Sequence, residues 1–141
     1  MISDRELIDL AIEARKAAYT PYSNFKVGAA LLSGNGKVYK GCNIENAAYT
    51  PTNCAERTAF FKAVSEGVTD FKAIAIVGGY DKEGLKFCPP CGVCRQVMME
   101  FCKSDKFRVL LIDEKGEIKS YLLKELLPFG FGPKNLFLSI T

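Results

Sequence analysis

Three cysteines and one glutamate carry the densest chemistry in this sequence. Cys91-Gly92-Val93-Cys94 is a C-x2-C pair, a spacing that lets two sulfurs about one turn apart reach a single tetrahedral metal. Pro89-Pro90 ahead of it stiffens the turn that presents the sulfurs. Alone, the pair fits a structural zinc site, a redox motif or a packed core. Thr52-Asn53-Cys54-Ala55-Glu56-Arg57 adds a third thiol at a helix start, with a carboxylate two residues on and a cation beside it. Three thiolates leave the fourth position of a zinc ion open, and an open position separates a catalytic zinc from a closed structural one. With Cys54 and the Cys91/Cys94 pair at helix N-termini, backbone N–H groups and positive dipole ends favour the thiolate forms.

The chain contains no histidine. A soft-metal site must therefore be built from thiolates, with carboxylates as the only other anionic ligands. The absence also removes every Ser-His or Cys-His pair and leaves acid–base work to Glu, Asp, Lys, Tyr or Cys. Judged by residue type alone, Glu56 is a helix-surface glutamate and Arg57 a solvated cation. Beside an open metal position, Glu56 as a non-ligand can take a proton from bound water and deliver it to a substrate nitrogen. Three thiolates on a divalent ion carry a net negative charge, which Arg57 offsets by donating to ligand sulfurs. The competing reading is a structural module in which Cys42, Cys88 or Cys102 closes the site as a fourth ligand.

The elements that must position these residues follow from pattern. Ser3-Asp4-Arg5-Glu6 is a capping box, and apolar residues from Leu7 to Ala18 at helical spacing predict an amphipathic helix that Pro21 ends. Phe25–Leu32 and Lys37–Asn43 read as strands around a Gly34-Asn35-Gly36 turn. A helix is expected from near Thr52 through Val64, then a buried strand from Phe71 to Val77, and a loop from Gly78-Gly79 through Gly84. Gly92–Phe101 reads as a helix, Phe107–Ile112 and Ile118–Leu123 as strands, and a short helical segment ends the chain. Five strands interleaved with helices predict a three-layer α/β/α domain with a mixed sheet, spanning residues 1–141.

A chain of 141 residues, 48% hydrophobic and 25% charged, can bury roughly 68% of its unfolded surface and needs no staples. Its six cysteines then read as thiols of a reducing cytoplasm rather than as disulfides. Charges through the first fifteen residues interrupt any export signal, and no run of about 18 apolar residues predicts a membrane span. The net charge of +3 is dispersed, and Lys103 to Arg108 is broken by Ser104, Asp105 and Phe107, so no nucleic-acid footprint is expected.

Cys54-Ala55-Glu56 with Pro90-Cys91-Gly92-Val93-Cys94-Arg95-Gln96 resembles the cytidine deaminase family in its small homotetrameric, three-cysteine form. The likeness continues through Tyr19–Ser23, Phe25–Ala30, Gly41–Tyr49 and Leu126–Pro133. It implies Zn2+ held by Cys54, Cys91 and Cys94, with Arg57 beside the ligands. The implied reaction converts free cytidine and 2′-deoxycytidine to the uracil nucleosides with release of ammonia, a pyrimidine-salvage step in which zinc-bound hydroxide attacks C4 and Glu56 moves the proton. The implied substrate contacts are Asn43 and Glu45 on the ribose 3′-hydroxyl, Phe25 against the base, and the Ala55 backbone with Glu56 at the pyrimidine edge. Phe131 would reach a neighbouring subunit's site in a homotetramer, and Tyr49 would lie at the subunit contact.

The chain departs from the family at Pro89, where Ser or Thr is usual. A main-chain carbonyl survives there, but a hydroxyl is lost. Cys88 is an extra thiol near the site; an iron–sulfur reading of Cys88, Cys91 and Cys94 would leave Cys54 and Glu56 unexplained. Cys42 and Cys102 are expected to be buried packing residues. The substrate is expected to be a small nucleoside, with no nucleic-acid or membrane partner. Deamination of a base in RNA or DNA, of a nucleotide or of a cytosine-containing antibiotic is the competing enzyme reading, and a site capped by Phe131 leaves little room for a polymer.

Overall fold

A computed structural model describes residues 1–136. In chain order the elements are α1 (Asp4–Arg15), β1 (Phe25–Ser33), β2 (Val38–Cys42), α2 (Ala55–Ser65), β3 (Phe71–Tyr80), α3 (Gly92–Phe101), β4 (Arg108–Ile112), β5 (Ile118–Leu122) and α4 (Leu123–Leu126), followed by a 3-10 turn at Pro133–Leu136. Residues 137–141, at the end of the predicted C-terminal helical segment, lie outside the described residues. The strands form one mixed sheet in the order β2-β1-β3-β4-β5, with β3 and β4 parallel and the other neighbours antiparallel. No helix among the described residues is long and apolar enough to cross a membrane.

Side-chain alternation along the central strands divides the core into two layers. Ala29, Leu31, Ile74, Ile76, Val109 and Leu111 face α2, α3 and α4, whereas Ala30, Leu32, Ala73, Ala75, Val77, Leu110 and Ile112 face Leu7, Ile8 and Ala11 of α1. This is the expected three-layer α/β/α arrangement. Phe60 anchors the first layer, its ring centroid 5.0 Å from that of Phe71 and 6.2 Å from that of Phe107. Two glycines set how closely helices approach the sheet. A Cβ on Gly28 would fall on the Ala11 carbonyl oxygen of α1, and one on Gly41 would fall on the Ala55 carbonyl oxygen of α2.

The structure differs from the sequence pattern at three ends. α1 has its capping box, with Ser3 Oγ accepting from Glu6 N at 3.1 Å, but it stops at Arg15, before Pro21. Beyond it the chain extends, with Tyr19 N donating to Asn43 O and Glu45 N donating back to Tyr19 O. The Arg15 side chain turns in, donating to Lys26 O at 3.0 Å and Gly79 O at 2.7 Å, and so fastens the ends of β1 and β3. α2 begins at Ala55, three residues past Thr52, with Cys54 at the helix start as the sequence places it. Gly78 and Gly79 belong to β3, paired with Val27 and Lys26, rather than to a loop. They are glycines because a Cβ on Gly78 would lie 2.7 Å from Cys88 Sγ, and one on Gly79 would lie 2.8 Å from the Gly84 carbonyl oxygen.

Two stability outcomes follow. Gly41→Ala should push α2 off β2 and cost about 1–3 kcal/mol, visible as a melting temperature several degrees lower, whereas Gly84→Ala, with open space around its Cβ, should melt as the parent does. The Arg108 guanidinium grips Asp4 through two hydrogen bonds, the shorter 2.8 Å, and holds the Asp4 carboxyl below its ordinary 3.8. A depressed carboxyl contributes stability that is present above the unfolded value and lost as pH falls through the folded one. Thermal melts of the parent and Asp4→Asn should therefore differ slightly at neutral pH, by under about 1 kcal/mol for so exposed a pair, and converge as pH falls through the depressed value of the folded Asp4 carboxyl.

Candidate active site

β2 is antiparallel to β1 and β1 is antiparallel to β3, so β2 and β3 point the same way. α2 follows β2 and α3 follows β3 on the same face of the sheet. Both helices therefore begin at one edge, beyond the carboxyl ends of those strands, where α/β folds place their sites. Cys54 is the N-cap residue of α2, Cys91 that of α3, and Cys94 lies in the first turn of α3.

The result is a compact thiol cluster. Cys54 Sγ and Cys91 Sγ are 3.7 Å apart, and the sulfurs of Cys54, Cys91 and Cys94 all lie within 4.8 Å of one another. Tetrahedral zinc with Zn–S near 2.3 Å separates its sulfurs by ~3.8 Å, so the donor set fits that ion. Cys94 is buried, Cys54 half-buried and Cys91 exposed, leaving the cluster open on one side. Among the described residues neither Cys42, Cys88 nor Cys102 joins the group, which disfavours the closed four-thiolate reading. Cys102 is buried as expected; Cys42 is only half-buried, in a groove with Lys40 and Lys62.

Charge around the cluster is asymmetric. A hydrogen bond from Cys94, followed by those from Arg57 and Cys91, holds the Cys54 thiol well below its ordinary value; the Arg57 contact, Nη2 to Cys54 Sγ, is 3.3 Å. Cys94 is pushed up, by its contact with Cys54 first and by burial second. Glu56 is only 4% exposed. Burial pushes its carboxyl up to about 7; its own backbone N–H opposes this and the Cys54 charge adds to it. A buried carboxyl in that range can accept and return a proton near neutrality. Cys88, pushed up to about 12 mainly by burial, is an apolar wall between Gly78 and the cluster rather than a nucleophile.

Phe25, Asn43 and Glu45 gather at the start of β1. Asn43 uses its carboxamide as a substitute strand, with Oδ1 accepting from Val27 N and Nδ2 donating to Phe25 O, both at 2.9 Å. Glu45 accepts from Tyr22 N and Ser23 N. Phe25 packs edge-on against Tyr80 at 5.1 Å. Glu45 and Tyr49 line a groove of about 260 Å³ with Tyr22, Ser23, Asn46 and Thr52. Phe131 is not among the residues lining it; the residue is 58% exposed, and its carbonyl accepts from Gln96 Nε2 at 2.7 Å.

Sequence reasoning passed over Ser23, Arg15 and Arg95. Arg95 donates to Pro90 O and Leu126 O, both at 2.7 Å, and so secures the carbonyl just before Cys91. Its signal was available, since it follows Cys94 directly, but a helix-surface arginine has no visible partner in a linear pattern.

Three helix-terminal thiols with a buried carboxyl beside them define the site class of metal-dependent base deaminases. The family described as the cytidine and deoxycytidylate deaminase zinc-binding region matches residues 1–110. A cytidine deaminase of Sporosarcina psychrophila is 53% identical over 131 residues, 93% of each chain. One from Halalkalibacterium halodurans is 52% identical over 134 residues, 94% of this chain and 98% of that one. The crystal structure of cytidine deaminase from Burkholderia pseudomallei superposes with a TM-score of 0.83 at 47% identity, covering 92% of this chain and 100% of the other. The chain belongs to the cytidine deaminase family, in the form that presents three cysteines to the metal.

Metal content tests the ligand set. Cys54→Ala should lose nearly all bound zinc in elemental analysis of the purified protein, while Cys42→Ala and Cys88→Ala should keep one zinc per chain.

Proposed function

We propose that this chain is a zinc-dependent cytidine deaminase that converts free cytidine and 2′-deoxycytidine to uridine and 2′-deoxyuridine, consuming one water and releasing one ammonia. The observation that carries the reading is a buried carboxyl, Glu56, beside three thiols that fit one zinc ion and leave one side open. Cys54, Cys91 and Cys94 hold the zinc, which supplies a Lewis acid that brings the pKa of water down to about 7. Glu56 takes the proton of the attacking water, passes it to N3 of the cytosine ring so that C4 becomes electrophilic, and later helps the amino group leave as ammonia. Arg57 offsets the negative charge of the thiolates.

The backbone of Ala55 reads the pyrimidine edge together with Glu56. Phe25 packs against the base, and Asn43 and Glu45 take the ribose 3′-hydroxyl. The exposed Phe131 ring, with its carbonyl anchored by Gln96, is suited to completing a neighbouring subunit's site in a homotetramer, with Tyr49 at the contact. A nucleoside is favoured over a polynucleotide by the dispersed charge of the chain. The work is that of a cytoplasmic pyrimidine-salvage enzyme.

Ammonia release from cytidine, 2′-deoxycytidine and cytidine monophosphate tests the proposal. Both nucleosides should turn over, and Glu56→Ala should retain zinc and fold while losing at least about 100-fold in kcat. Near-parental activity in that variant would remove Glu56 from the mechanism.

A further inference from the structure

Glu45 faces the groove with most of its acceptor capacity in use. An ionised carboxylate offers about four lone-pair sites. Oε1 accepts from Tyr22 N at 3.0 Å and Ser23 N at 3.1 Å, and Oε2 accepts from the Ser23 hydroxyl. One site, on Oε2, is left for a ligand. The Ser23 hydroxyl has a single proton and gives it to Glu45. Its lone pairs therefore face the other way, where Ser23 Oγ accepts from Phe25 N at 3.0 Å.

Between those residues Asn24 sits in the left-handed region, φ 60°. Thr20 O and Asp81 N hold it there through its backbone N–H and carbonyl. That conformation folds the chain back so that Ser23 Oγ meets the Phe25 amide two residues on. The Phe25 carbonyl is taken by Asn43 Nδ2 at 2.9 Å, and its ring rests on Tyr80. The carboxylate at one end and the aromatic ring at the other are thus joined by a continuous run of hydrogen bonds, with Ser23 as its middle link.

We infer that Ser23 is a positioning residue for nucleoside recognition: its hydroxyl, bridging Glu45 and the Phe25 amide, sets the sugar-hydroxyl acceptor at a fixed distance from the ring that packs on the base. The inference rests on the roles proposed above for Glu45 and Phe25. Ser23 is exposed, so its loss leaves the core intact and acts on alignment, and the added methyl of a threonine has room.

The test is steady-state kinetics with cytidine and 3′-deoxycytidine for the parent, Ser23→Ala and Ser23→Thr, each zinc-loaded and checked by thermal melt. With one hydrogen bond to a charged acceptor lost, Ser23→Ala should raise KM for cytidine about tenfold while kcat stays within about twofold, and Ser23→Thr should restore KM. With 3′-deoxycytidine, which lacks the hydroxyl, Ser23→Ala should change KM little. A rise in KM of equal size for both substrates, an effect on kcat instead, or no effect at all would overturn the inference. If the parent itself has the same KM for both substrates, the premise about Glu45 fails and the inference falls with it, a result visible before any variant is measured.

Discussion

The site depends on two helices beginning at the same place. Because β2 and β3 run in one direction with β1 between them, α2 and α3 start side by side, and their N-cap residues bring two sulfurs to 3.7 Å. No reshaping of loops could substitute for this. A reversal of either strand would carry one thiol to the opposite edge of the sheet, and a metal with bonds near 2.3 Å could not bridge the gap. The third sulfur comes from the first turn of α3, so a single helix supplies two ligands and the site needs only one long-range coincidence.

That coincidence is protected by close packing behind it. Gly41 brings α2 down onto β2, and Gly28 brings α1 down onto β1. Arg15 ties the ends of β1 and β3 from the other face. The same proximity that seats α2 also buries Glu56, and burial is what raises its carboxyl. A stability feature and a chemical one thus have a common origin in the approach of one helix to one strand. Arg57, one residue further along α2, turns towards Cys54 and donates to its sulfur.

Much of this was legible in the linear sequence because its signals are local. Cys54-Ala55-Glu56, the Cys91/Cys94 pair, the Ser3 capping box and the alternating strands each act over a few residues. The limits lay where a residue's meaning is supplied by a distant partner. Gly78 and Gly79 look like loop residues, yet they are strand residues made small by Cys88 and the Gly84 carbonyl. Leu7 to Ala18 reads as one long helix, yet the chain leaves it early to pair with residues 43–45. Ser23 and Glu45 lie 22 residues apart, and their link depends on the left-handed backbone of Asn24, which no local pattern reveals.

X-ray absorption at the zinc edge of the purified, unliganded protein bears most directly on the central claim, that three thiolates hold the metal and leave one position for chemistry. The account predicts a first shell of three sulfurs and one oxygen or nitrogen, with the Zn–S distance near 2.3 Å. A shell of four sulfurs would contradict it, because a closed site has no place for water and Glu56 would have nothing to deprotonate.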